Sequence, residues 1–190
     1  MTTAHEEKET LTVEVNIPEH ADRVTTSLFS KTRKQLIERD KVCWISGKGN
    51  DKQSPLEAHH YPIERSLAEM VDWDYVRRDA EAGELGISQA QRDAAKLFDW
   101  TSFFVNSTIV NVAEYTDENG IKYSASSYRK VVDPYLFVDN MLVNGLLLAK
   151  NFHIGKDEGI HMMPHPLWIA QRYGIEGYKY SDVEIIHHQE

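Results

Sequence analysis

The tripeptide Glu118-Asn119-Gly120 constrains the middle of this chain more than any other feature. Asn-Gly is the strongest short-range signal for a tight chain reversal, because both residues tolerate positive φ. The flanking sequence, TIVNVAEYTDENGIKYSASSY over residues 108–128, is rich in β-branched and aromatic residues. An antiparallel hairpin is therefore predicted there. The rest of the chain alternates between other patterns. Residues 11–17, LTVEVNI, alternate apolar and polar and predict a strand stopped by Pro18. Residues 30–39 suit a helix capped by Ser30, with Leu36 and Ile37 as its apolar edge. A turn-rich stretch, KVCWISGKGNDKQSP, leads into a short strand, LEAHHYPI. Residues 64–99 read as helical, broken at Gly83 and Gly86, with Ser88 capping the second helix. Beyond residue 136, Leu146, Leu147 and Leu148 lead into a short helix carrying His153, which Gly159 is placed to end. A further helix over 166–173 and a last strand, YKYSDVEII, complete an α+β chain read as a single domain over 1–190.

Composition narrows the class. Hydrophobic residues at 41% and charged residues at 27% suit a soluble globular protein. No stretch approaches the roughly 18 apolar residues of a membrane span. The start, MTTAHEEKETLTVEV, lacks a basic region followed by an apolar core, so a cytoplasmic protein is expected. Cys43 is the single cysteine, which rules out an intramolecular disulfide and a thiolate-rich metal site. The net charge of -9 argues against tight non-specific gripping of nucleic acid. Arg65, Arg77, Arg78, Arg129, Lys130, Lys150 and Lys156 remain as local basic candidates.

Histidine is the residue type that stands out, with nine in the chain, two of them adjacent in EAHHYPI. Successive strand side chains point to opposite faces, so His59 and His60 would serve different surroundings. His153 and Asp157 are four apart in a helical pattern, a spacing that sets both on one helix face. Two imidazoles and a carboxylate, one imidazole from the strand and the rest from the helix, would make an open metal site.

These stretches resemble the HNH endonucleases, the family with the ββα-metal fold. RKQLIERDKVCWISG resembles the helix and knuckle turn before the first histidine motif; LEAHHYPI resembles the histidine strand; NGLLLAKNFHIGKDEG resembles the segment from Asn to the metal helix. The resemblance covers under a third of the chain. It implies a core from about 30–65 and 139–165, with a helical and β-hairpin insertion over about 66–138. It implies His59, His153 and Asp157 as ligands of one divalent ion, Mg²⁺ or Mn²⁺, with Zn²⁺ or Ni²⁺ as alternatives. His60 would be the general base and Asn144 the residue that ties down the loop and orients it. The implied reaction is hydrolysis of phosphodiester bonds in DNA by a nuclease of phage or mobile-element type.

The chain departs from that pattern in three ways. Cys43, Ser46, Ala149 and Phe152 stand where the family carries two cysteine pairs, so no structural zinc is expected and apolar packing would replace it. His60 and Asn144 lie 84 positions apart, far more than the family usually has, which makes the insertion a candidate surface for a protein partner. The overall charge is acidic. An inactive HNH scaffold acting as a protein-binding or inhibitory module is therefore the alternative. Plainer readings stand beside these. Cys43 suits a small buried hydrophobe, Trp73, Trp100, Phe103 and Phe104 suit the insertion's core, and Arg77-Arg78 suits a solvated helix face. His161 suits a packed residue or a substitute ligand, and His187-His188 a solvated tail.

Overall fold

The structure is a computed structural model that describes residues 24–156, 158–162 and 168. It is a mixed α+β protein whose chain divides into two compact units, one of residues 1–16, 36–59 and 146–190, the other of 17–35 and 60–145. The expected strand over 11–17, the final strand, Asp157, His165, His187 and His188 lie outside the described residues, as does the helix over 166–173 apart from Trp168.

Helix α1, Ser27–Asp40, begins earlier than Ser30 implied. Thr26 is the reason: its Oγ1 accepts from the Phe29 backbone N–H at 3.0 Å, the interaction of an N-cap.

In the second unit, residues 64–82 do not make one helix. A 3₁₀ turn spans Arg65–Met70, and α2, Trp73–Ala82, starts afresh. Asp72 sets that start, because its carboxylate accepts from the backbone N–H groups of Asp74 and Tyr75. A side chain that captures backbone donors in this way competes with continuation of the helix. Gly83 ends α2 at φ +76, and its N–H donates to the Ala80 carbonyl. Ser88 caps α3, Gln89–Lys96, as its position suggested, and Asp99 caps the short α4, Trp100–Phe103.

The hairpin follows. β2, Thr108–Val112, pairs antiparallel with β5, Ser126–Lys130, in a register that opposes Val110 to Tyr128. β3, Tyr115–Thr116, and β4, Lys122–Tyr123, carry the ribbon to its tip. Gly120 adopts φ +79 there, and the Asp117 carboxylate accepts from the N–H groups of Asn119 and Ile121. Two short helices, α5, Tyr135–Val138, and α6, Met141–Asn144, complete the unit. Its core holds Trp73, Val76, Ala80, Trp100, Phe103, Phe137 and Val143. Phe137 is wholly buried, with the rings of Trp73, Phe98 and Trp100 all within 5.5 Å of its own. Trp73, Trp100 and Phe103 are thus core residues, with Phe104 packed against them, as the plainer reading held.

In the first unit, Cys43 is buried in a tight turn where its N–H donates to Lys48 O and its own carbonyl accepts from Gly47 N–H. β1, Leu56–His60, pairs with β6, Gly145–Ala149. The bonds from Tyr61 N to Asn144 O and from Lys150 N to Pro55 O bound this pair and make it antiparallel. Every residue of β6 is buried, which explains its unbroken apolar sequence. Helix α7, Lys150–Ile154, follows at once. It ends at Ile154, five residues before Gly159, with Gly155 as its C-cap, whose N–H donates to Asn151 O.

Candidate metal centre

Three imidazoles meet in the first unit. His59 comes from β1, His153 from α7, and His161 from the segment after α7. Their ring centroids form a nearly equilateral triangle, with sides of 5.1 Å for His59 to His153, 4.9 Å for His59 to His161 and 5.2 Å for His153 to His161. One nitrogen from each lies within 4.8 Å of the others. His59 is only 3% exposed, whereas His161 is open to solvent. The triangle therefore has a buried corner and an open one.

Glu57 buttresses it. Glu57 and His59 are two apart on a strand, so their side chains leave the same face. Glu57 Oε2 lies 2.8 Å from His153 Nδ1. A carboxylate accepts, so Nδ1 is the donor in this contact, which leaves Nε2 as the nitrogen that could face a cation. This carboxylate–imidazole arrangement is the one that orients a histidine ligand and raises its basicity. The donor set fits a borderline divalent cation. Two nitrogens on one tetrahedral ion stand about 3.4 Å apart, so modest side-chain rotation would bring all three into range.

His60 lies in the second unit, with different company. Its Nε2 is 3.3 Å from Asp139 Oδ1, and its ring stacks on Phe29 at 5.4 Å. The Asp139 side chain is 1% exposed and also accepts from Thr26 Oγ1 at 2.9 Å and Arg65 Nε at 3.1 Å. Arg65 in turn lies over the Tyr135 ring. Burial pushes the Asp139 carboxyl up, but the hydrogen bonds from His60 and Thr26 and the Arg65 charge outweigh it, leaving the pKa below the ordinary carboxylate value.

Asn144 is fully buried and makes three side-chain hydrogen bonds. Its Nδ2 donates to Ile63 O at 2.8 Å and Val138 O at 3.0 Å, and its Oδ1 accepts from Ile63 N at 3.0 Å. With the bond from Tyr61 N to its own carbonyl, it holds the segment that follows His60 on both sides of the Tyr61–Pro62 cis peptide. Buried Gln91 supports the same segment, donating to Tyr61 O and Val143 O.

Of the five expected site residues, His59 and His153 are brought together. His60 and Asn144 sit in the second unit, and Asp157 lies outside the described residues. The helix meant to align Asp157 with His153 stops at Ile154. Glu57 and Asp139 were not foreseen. Glu57 was legible, as the acidic residue two before His59 on one strand face; Asp139 had no local signal. Several basic candidates already face carboxylates: Arg129 meets Asp74 at 3.0 Å, Arg77 meets Asp74 at 3.6 Å and Arg78 meets Asp79 at 3.4 Å. No helix among the described residues is long and apolar enough to cross a membrane. No protein-family model, curated protein or solved structure matches the chain.

Proposed function

We propose that this protein is a metal-dependent hydrolase, and more closely an HNH-type endonuclease that cleaves phosphodiester bonds in DNA. The observation that carries the reading is the His59–His153–His161 triangle with Glu57 on His153. A bound divalent ion would supply charge neutralisation for the phosphate and help for the leaving oxygen. The chain's own residues do the rest. Glu57 fixes the His153 tautomer. His60 takes the proton of the attacking water: Asp139 holds its Nε2–H, which leaves Nδ1 as the basic nitrogen. Asn144 secures the chain just after His60.

A substitute role for His161 supports this reading, since it adds an imidazole to the two expected. Three imidazoles suit Zn²⁺, Ni²⁺ or Mn²⁺ better than Mg²⁺, whose preference is for oxygen ligands. Exposed apolar residues on and beside the ribbon, among them Ile109, Tyr115, Ile121 and Val132, favour a second reading, a protein-binding module built on the same scaffold.

Plasmid cleavage separates the two. Purified protein is stripped with chelator and assayed with Mg²⁺, Mn²⁺, Ni²⁺ or Zn²⁺ added back. Metal-restored nicking by the wild type, lost by at least 100-fold in His60→Ala and His153→Ala, is the expected result. Absence of cleavage with every metal, or equal cleavage by all three proteins, would overturn the nuclease reading.

A further inference from the structure

The His161 corner of the triangle depends on a fastening that no ligand-based reading requires. Helix α7 has five residues, too few to hold its own direction without tertiary support. The carbonyl of Phe152, the residue just before His153, accepts two hydrogen bonds. One comes from Ile160 N–H at 3.0 Å, immediately before His161, and the other from Trp168 Nε1–H at 3.0 Å, seven residues after it. Gly159 N–H donates to Gly155 O at 2.9 Å and Met162 N–H to Gly159 O at 2.9 Å, so the backbone around His161 is tied on both sides.

Trp168 is wholly buried although it lies well beyond the helix. Its indole stacks on Trp44 with centroids 5.9 Å apart and planes 18° from parallel. Trp44 N–H donates to Leu147 O of β6, the strand that runs into α7. One indole therefore joins three pieces: the turn at Cys43, the root of the His153 helix and the chain that presents His161. A buried indole usually satisfies its N–H, but the acceptor chosen here is the carbonyl adjoining a candidate ligand.

We propose that Trp168 is a positioning residue for the metal centre, acting by clamping the His161 segment onto the His153 helix. The proposal rests on the reading of the three histidines as ligands. Its consequence is that metal affinity and docking of Trp168 are coupled. Removing the indole lets His161 swing away and frees the end of α7, so the ion loses its open-corner ligand and part of its hold on His153.

The test is calorimetric titration of the full chain with Ni²⁺, comparing wild type, Trp168→Ala, Trp168→Phe, His161→Ala and the Trp168→Ala/His161→Ala double variant. Far-UV circular dichroism establishes that each is folded at the titration temperature. Trp168→Ala should bind at least 10-fold more weakly, the range in which loss of a supporting partner to a metal ligand falls. Trp168→Phe, which keeps a ring against Trp44 and loses the N–H, should fall between, and it stands in if Trp168→Ala does not fold. Because Trp168 acts through His161, the double variant should bind less weakly than the product of the two single losses predicts. Equal affinity in wild type and Trp168→Phe together with Trp168→Ala, or strictly multiplicative losses, would overturn the role of Trp168 while leaving the centre intact. A folded wild type that takes up no Ni²⁺ would overturn the centre itself, and the role of Trp168 with it.

Discussion

Replacing Asp139 with Asn is the perturbation whose cost can be worked most directly from the geometry. Three donors converge on that carboxylate: Thr26 Oγ1 at 2.9 Å, Arg65 Nε at 3.1 Å and His60 Nε2 at 3.3 Å. The side chain is 1% exposed, while those of Arg65 and His60 are 17% and 16% exposed. Asn keeps the shape but removes the charge, and its NH₂ group turns one donor toward other donors. Breaking a buried charged pair costs about 3–5 kcal/mol. Water reaches part of Arg65 and His60, so a loss near the lower end, about 3 kcal/mol, is expected here. For a chain of this length that corresponds to a fall of roughly 6–12 °C in Tm. Urea unfolding at 25 °C, followed by tryptophan fluorescence, measures it.

The pH dependence gives a second handle on the same residue. The folded pKa of Asp139 is lowered, so its carboxylate stabilises the native state at pH values above the unfolded value near ~3.9. That contribution is lost as pH falls through the lowered folded value. The stability gap between wild type and Asp139→Asn should be full at pH 7 and should shrink below about pH 4. A loss under about 1 kcal/mol at pH 7, the size of an ordinary surface change, would refute the reasoning, as would a gap equally large at pH 3.

Two further substitutions probe the neighbouring arrangements. Asn144→Ala leaves the Ile63 N–H and the carbonyls of Ile63 and Val138 without their buried partner, so a destabilisation of about 3 kcal/mol is expected in the same urea assay. Glu57→Gln keeps an acceptor oxygen for His153 Nδ1–H but removes the charge, so Ni²⁺ affinity by calorimetry should fall about 10-fold with little change in Tm.

Local chemistry in the sequence specified many of the elements. The Asn-Gly reversal and the Ser88 cap each depend on residues within a few positions of one another, and those readings match the structure. The helix starts at Ser27 and Trp73 were misplaced because Thr26 and Asp72, rather than Ser30 and a continuing 3.6-residue pattern, hold the free backbone donors. At the site, the resemblance implied that His59 and His153 act together from the two ends of a long separation, and their rings do meet. His161 reaches them through a chain path shaped by hydrogen bonds to Phe152, which no periodicity encodes. Asp139 lies 79 positions after His60 in the chain and joins it only through tertiary packing, so no window of sequence contains that pair.

The pairing of β1 with β6 carries a consequence for the order of assembly. His59 and His153 are 94 positions apart, and their strand and helix meet only when the chain between them has looped back. Closing a loop of that length costs on the order of 4 kcal/mol in chain entropy before any contact compensates. The hairpin between β2 and β5, by contrast, closes over a short span and can form early. During synthesis His59 leaves the ribosome long before its partners exist. The three histidines are therefore among the last groups of the chain to come together.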